Sequence, residues 1–135
     1  MRFVFDAYKP GNMKCKILLV DDNEFMLSIM SQILCKQGYE VETLSRAAGL
    51  FEFIGTYQPG LIILDAQLPD ADGRDLCSII KQSKDYSSIN VIICSGRDDI
   101  EECYKQPGPP DAILPKPFDI SQLLGLVGNS MSFAA

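Results

Sequence analysis

Leu61-Ile62-Ile63-Leu64-Asp65, followed by Ala66-Gln67-Leu68-Pro69-Asp70-Ala71-Asp72-Gly73, is the stretch from which the fold can be read. A short unbroken apolar run reads as a strand buried on both faces, as in a parallel sheet. The carboxylate that ends it then sits at the rim of the sheet. A second apolar run, Ile17-Leu18-Leu19-Val20, ends the same way, in Asp21-Asp22. If the two strands are parallel neighbours, three carboxylates converge at one rim. Three anions held together need a divalent cation, or one of them must keep its proton. The pattern points to a magnesium-dependent site that handles a phosphoryl group.

Outward from these runs, strand-like and helix-like stretches alternate. Strands are expected at 16–20, 40–44, 61–64, 91–94 and 112–114. Met26, Ile29, Met30, Ile33 and Leu34 follow helical spacing, as do Ala47, Leu50, Phe51 and Ile54. Leu76, Ile79 and Ile80 form a shorter stripe, and Ile120, Leu123, Leu124 and Val127 form the last. Asp119 and Gln122 form a box-like cap for that last helix. Between residues 95 and 112 the pattern weakens. Asp98 and Glu101 can open a short helix of about two turns carrying Ile100, Cys103 and Tyr104, which Pro107-Gly108-Pro109-Pro110 must end. Leu114-Pro115 places a proline late in the last strand, as suits an edge.

Five strands interleaved with helices imply a doubly wound parallel sheet with helices on both faces. The flavodoxin-like strand order 2-1-3-4-5 puts its ligand crevice at the carboxyl ends of strands 1 and 3. Those ends carry Asp21-Asp22 and Asp65. Residues 1–14 read as a loose N-terminal extension, 15–129 as the domain and 130–135 as a tail.

The 135 residues suffice for one domain and are too few for two ordinary ones. Lys plus Arg number 12 and Asp plus Glu 18, for a net charge of −6, which argues against non-specific nucleic-acid binding, since that depends on a basic surface. No run of about 20 apolar residues is present to span a membrane, and the N-terminus does not resemble a signal peptide. The chain has five cysteines, no C-x-x-C pair and no histidine, which disfavours a zinc site and removes Ser-His and Cys-His nucleophiles. Buried, reduced thiols in a cytoplasmic protein are expected.

Two more residues belong to the same rim. Ser95 ends the run Val91-Ile92-Ile93-Cys94, and Lys116 follows the fifth strand and precedes Pro117-Phe118. Singly, each of these residues has an ordinary reading: a helix cap, a turn hydroxyl, a solvated lysine. Together, in order and at strand ends, Asp21-Asp22, Asp65 with Leu68-Pro69 and Gly73, Ser95-Gly96 and Lys116-Pro117-Phe118 resemble a response-regulator receiver domain, the phosphoacceptor of two-component signalling. The resemblance covers roughly residues 14–129.

It implies that Asp65 takes a phosphoryl group from a histidine kinase or phosphotransfer protein. It implies that Asp22, Asp65 and the Gln67 carbonyl bind Mg²⁺, with Asp21 acting through water. Ser95 and Lys116 would hold the phosphoryl oxygens, and the Lys116–Pro117 bond would be cis. Such a protein is not an enzyme beyond self-catalysed phosphorylation and dephosphorylation of its own aspartate. It is expected to stand alone, signalling through a downstream partner or a self-dimer, with no direct nucleic-acid or membrane contact.

Two departures stand out. Ile113 occupies the place where receivers usually carry a rotating aromatic, and it is stiff at χ1. A proline-rich connector replaces the usual approach to strand 5. Both alter the face used for output, so a constitutive interaction module of the same fold is the competing expectation. Gln67 and Arg97 hold positions that tune dephosphorylation in the family. A haloacid-dehalogenase-like phosphatase, the third option, would need a D-x-D motif after strand 1 that Asp21-Asp22-Asn23 does not supply.

Overall fold

A computed structural model describes residues 15–131. The expectation for the 1–14 extension, and for residues 132–135 of the tail, lies outside the described residues. The chain runs β1 (Lys16–Val20), α1 (Glu24–Lys36), β2 (Glu40–Leu44), α2 (Leu50–Tyr57), β3 (Leu61–Asp65), α3 (Gly73–Gln82), β4 (Asn90–Ser95), a 3-10 helix (Ile100–Lys105), β5 (Ala112–Pro115) and α4 (Ile120–Met131). All strands are parallel, in the order β2-β1-β3-β4-β5. This is the doubly wound, flavodoxin-like order that the sequence predicts.

Alternation along the central strands divides the core in two. Leu18, Val20, Ile62 and Leu64 face α2, α3 and the 3-10 helix. Ile17, Leu19, Leu61 and Ile63 face α1 and α4. Every residue of β3 is buried, which is why its sequence is an unbroken apolar run until the rim. The register fixes the rim: Val20 pairs with Leu64, Asp65 with Cys94, and Ser95 with Pro115. Asp21, just past β1, is therefore level with Asp65, and Ser95 lies one residue further along β4, so the three meet at one rim.

Several local expectations change. The cap of α1 is Asn23, whose side-chain oxygen accepts from the Met26 N–H at 3.1 Å, so the Asp21-Asp22 pair is released from capping. Helix α2 starts at Leu50, leaving Ala47 in the preceding turn, because Gly49 adopts φ +81° and cannot continue a helix. In α3 the core is met by Leu76, Cys77 and Ile80, while Ile79 is 53% exposed. Helix α4 runs through Met131, so residues 130 and 131, read as tail, belong to the helix. The Asp119–Gln122 box forms as expected, each backbone N–H donating to the other side chain at 2.8 and 2.9 Å.

The segment 98–110 forms one short helix, and it is 3-10. Ile100 and Cys103, three residues apart, share the buried face, as three residues per turn requires; Tyr104 is largely exposed. The connector after it lies lengthwise along α3. Gln106 Nε2 donates to the Arg74 carbonyl at 3.0 Å, and Ser78 Oγ donates to the Pro107 carbonyl. The Cys77 thiol faces the Gly108 carbonyl, and Lys81 pairs with Asp111 at 2.9 Å. Positions 74, 77, 78 and 81 form one stripe of the helix, so the connector is a strap fixed along its length.

A candidate phosphoryl and metal site

The parallel register delivers the acidic cluster. Asp21 follows β1, Asp22 is next in the chain, and Asp65 is the last residue of β3. One oxygen from each of the three lies within 4.8 Å of the others. Asp21 and Asp65 are only 5% and 7% exposed, whereas Asp22 opens to solvent. Asp21 Oδ1 accepts from the Asn23 N–H at 2.9 Å, and Asp65 Oδ1 accepts from the Gln67 N–H at 3.3 Å. Two buried carboxylates are thus oriented by backbone donors, with an exposed third beside them. Hard oxygen donors with one open side suit a small divalent cation that retains several waters.

Lys116 enters from the end of β5. Its N–H donates to the Ser95 carbonyl at 2.8 Å, and the Lys116–Pro117 peptide is cis. The ammonium lies 3.3 Å from Asp21 Oδ2 and 3.6 Å from Asp65 Oδ1. Burial works against its charge, but the two carboxylates outweigh it, and the lysine pKa sits above its ordinary value. Burial and the Asp21 charge raise the Asp65 carboxyl above its ordinary 3.8, with Lys116 opposing them. One cation shared between two buried anions leaves a negative excess for a metal or an electrophile to relieve.

Ser95 is buried at the rim of β4, and its Oγ accepts from the Arg97 N–H at 3.0 Å. That bond uses a lone pair and leaves the hydroxyl proton to be donated. Arg97 itself points to Asp99, bonding both carboxylate oxygens at 2.9 and 3.1 Å. Beneath the site, burial pushes the Cys94 thiol up to about 12 despite Lys116, so it stays a neutral thiol. Behind Asp65 the chain turns sharply into α3. Gly73 N–H donates to the Ala66 carbonyl at 2.8 Å, and a Cβ on Gly73 would collide with the Asp65 carbonyl oxygen. A glycine is needed there for close approach.

The structure thus brings Asp21, Asp22, Asp65 and Lys116 together and sets Ser95 and Gln67 beside them. Sequence reasoning missed Asp70. This exposed carboxylate, at the tip of the loop after β3, accepts from the Ala47 and Ala48 N–H groups at 2.8 and 2.9 Å. No periodicity announces a bond across that many residues. The one available signal was the glycine-led start of α2, which has no side-chain cap of its own.

A doubly wound five-stranded sheet with an aspartate cluster and a lysine at its carboxyl rim defines a class of phosphoacceptor domain. The sequence profile of the response regulator receiver domain matches residues 17–127. The chain belongs to the response-regulator receiver family. It is 30% identical over 118 residues to the DNA-binding transcriptional regulator NtrC of Rhizobium meliloti (strain 1021), covering 86% of this chain and 24% of that protein. It is 28% identical over 113 residues to the response regulator MprA of Mycobacterium ulcerans (strain Agy99), covering 83% of this chain and 48% of that one. The chain therefore spans a quarter to a half of the length of these relatives. Among solved structures, a CheY-like receiver domain from Methanospirillum hungatei JF-1 superposes with TM-score 0.81 at 27% identity, over 90% of this chain and 96% of that one. The receiver domain of a LuxO repressor protein from Vibrio parahaemolyticus gives 0.80 at 28% identity, over 90% and 93%. Receiver domains bind Mg²⁺ at an acidic pocket, and the Asp21, Asp22 and Asp65 cluster provides one here. Among the described residues, no helix is long and apolar enough to cross a membrane.

Proposed function

We propose that Asp65 accepts a phosphoryl group from the phosphohistidine of a histidine kinase or phosphotransfer protein, in a Mg²⁺-dependent reaction. The observation that carries this reading is the Lys116 ammonium at 3.3 and 3.6 Å from two of three clustered carboxylates. An Asp65 oxygen attacks phosphorus in line. The donor's N–P bond breaks, its imidazole departs, and an aspartyl phosphate forms. Such transfer needs positioning and charge neutralisation more than covalent help. Asp22, Asp65 and the Gln67 carbonyl would hold the metal, with Asp21 acting through water. Bound Mg²⁺ supplies positive charge to the phosphoryl oxygens. Lys116 moves its contact from Asp65 to a phosphoryl oxygen. Ser95 donates its hydroxyl proton to another, keeping its bond from Arg97. A unit charge pair at about 4 Å is worth about 4 kcal/mol at an effective dielectric of 20. Lysine and dication together therefore offset what either alone would leave.

Output passes to a protein partner or a second copy of the chain, in the cytoplasm. The five cysteines, all free thiols, fit that compartment. The strap along α3 favours a second reading, in which the distal face is constitutively shaped and partner binding ignores phosphorylation.

Beryllofluoride, a phosphoryl mimic, separates a working acceptor site from a merely receiver-shaped one. Fluorine NMR is expected to show a bound signal that requires Mg²⁺ and is lost in Asp65→Asn. A signal that persists in Asp65→Asn, or no binding by the wild type, would contradict the assignment of Asp65.

A further inference from the structure

The loop between β3 and α3 carries two groups of the proposed site on one residue. The Gln67 N–H donates to Asp65 Oδ1, and the Gln67 carbonyl is the neutral ligand proposed for the metal. The loop is a small hairpin. Gln67 bridges Asp72, the Leu68 N–H donates to the Ala71 carbonyl at 3.2 Å, and Gly73 N–H closes its base on Ala66. These bonds shape the hairpin internally, and Leu68 and Ala71 rest against the core, but neither ties the tip to the α2 turn by hydrogen bonds.

Asp70 does. Both of its carboxylate oxygens are used, one on the Ala47 N–H and one on the Ala48 N–H, in the turn that opens α2. These amides belong to a helix approach whose Gly49 cap offers no side chain, so the carboxylate satisfies donors that would otherwise face water. Bonds from backbone N–H to a carboxylate are charge-assisted and geometrically demanding. The same stretch also reaches the other half of the site, because the Asp21 N–H donates to the Leu44 carbonyl at 3.1 Å. Residues 44–48 therefore form a bracket. One end holds the residue that carries the Asp21 carboxylate, and the other holds the loop that carries Gln67.

Resting on the reading of Asp65 and Gln67 given above, we propose that Asp70 is a positioning residue for the metal site. It ties the hairpin tip to the α2 turn and so sets the Gln67 amide and carbonyl against Asp65. It touches neither metal nor phosphoryl group. Its loss lets the hairpin swing, which weakens metal binding without removing any ligand. Groups that orient metal ligands commonly change affinity by 10- to 100-fold, and an exposed tether belongs at the low end of that range.

The test uses the full chain with Asp70→Ala, Asp70→Asn and, as a destabilised comparison far from the loop, Val127→Ala. Amide hydrogen exchange without metal reads the tether. Exchange at Ala47, Ala48 and Gln67 is expected to accelerate at least about threefold in Asp70→Ala, less in Asp70→Asn, which keeps one acceptor oxygen. Mg²⁺ titration, followed by amide shifts, reads the consequence. The dissociation constant is expected to rise about tenfold in Asp70→Ala and to stay within twofold of wild type in Val127→Ala. The rate of phosphorylation by acetyl phosphate at saturating Mg²⁺ is expected to recover to within twofold of wild type. Unchanged exchange at Gln67, or a Mg²⁺ affinity lowered no more than in Val127→Ala, would overturn the positioning role. Failure of wild type to bind Mg²⁺ at all would sink the site reading instead, while the exchange result still decides the tether.

Discussion

Asp65 combines two requirements that conflict. As the proposed acceptor it must be ionised to attack phosphorus, yet it sits buried beside Asp21, and both burial and that neighbour raise its pKa above 3.8. The sign of the consequence follows by linkage. A carboxyl with a raised folded-state pKa is held more tightly as the acid in the folded chain, so its ionisation costs stability. That cost is absent below the unfolded value and grows as pH rises from 3.8 through the raised value. Asp65→Asn is therefore expected to raise the melting temperature of the metal-free protein at neutral pH. The gap should close as pH falls through that window and should also close when Mg²⁺ is added to wild type. A gap that is independent of both pH and metal in calorimetric scans would contradict the burial argument. At this scale, Asp21, Asp22, Asp65, Ser95 and Lys116 were legible because each ends or closely follows an apolar run, and the period-2 strand fixes what the rim receives. Asp70 was not, because its partners are backbone N–H groups on another element; the glycine-led start of α2 shows only that amides there lack an acceptor, not which carboxylate reaches them.

At the scale of elements, the strands were legible to within a residue or two, since four short apolar runs and the alternating Glu40–Leu44 segment admit few alternatives. The helices were less so. Apolar spacing names residues on one side of a helix but not the width of the contact, so Ile79 and Ile120 read as core and are exposed. Cys77, left out of the stripe, is fully buried and takes the core position beside Leu76. The prolines of the connector foretold the end of the short helix. They did not foretell the strap, which depends on side chains of α3 meeting backbone carbonyls. Gly108 makes the strap possible: its φ is +68°, and a Cβ would strike the Ser78 carbonyl. Gly108→Ala is expected to destabilise the protein by about 2–4 kcal/mol, combining left-handed strain with a backbone clash. A urea midpoint within error of wild type would show that the strap can yield. Asn23→Ala removes only the α1 cap and is expected to cost about 1 kcal/mol in the same measurement.

For the whole molecule, the question is how far a charge change at the rim travels. Moving a two-state equilibrium from 1:99 to 99:1 takes about 5.5 kcal/mol of differential stabilisation. Ile113 offers no rotating aromatic, and the strap fixes residues 106–111 to α3 through side-chain and backbone bonds. A small shift is therefore expected. With beryllofluoride bound, backbone amide changes should concentrate near Asp21, Asp65, Ser95 and Lys116, and a large cooperative change across residues 100–124 would contradict this. All of it depends on whether Asp65 takes the phosphoryl group. The direct measurement is intact mass after incubation with acetyl phosphate, with and without Mg²⁺, on wild type and Asp65→Asn. A single phosphoryl adduct that requires Mg²⁺ and is absent from Asp65→Asn is expected. No adduct on wild type, or an equal adduct on Asp65→Asn, would contradict the phosphoacceptor role.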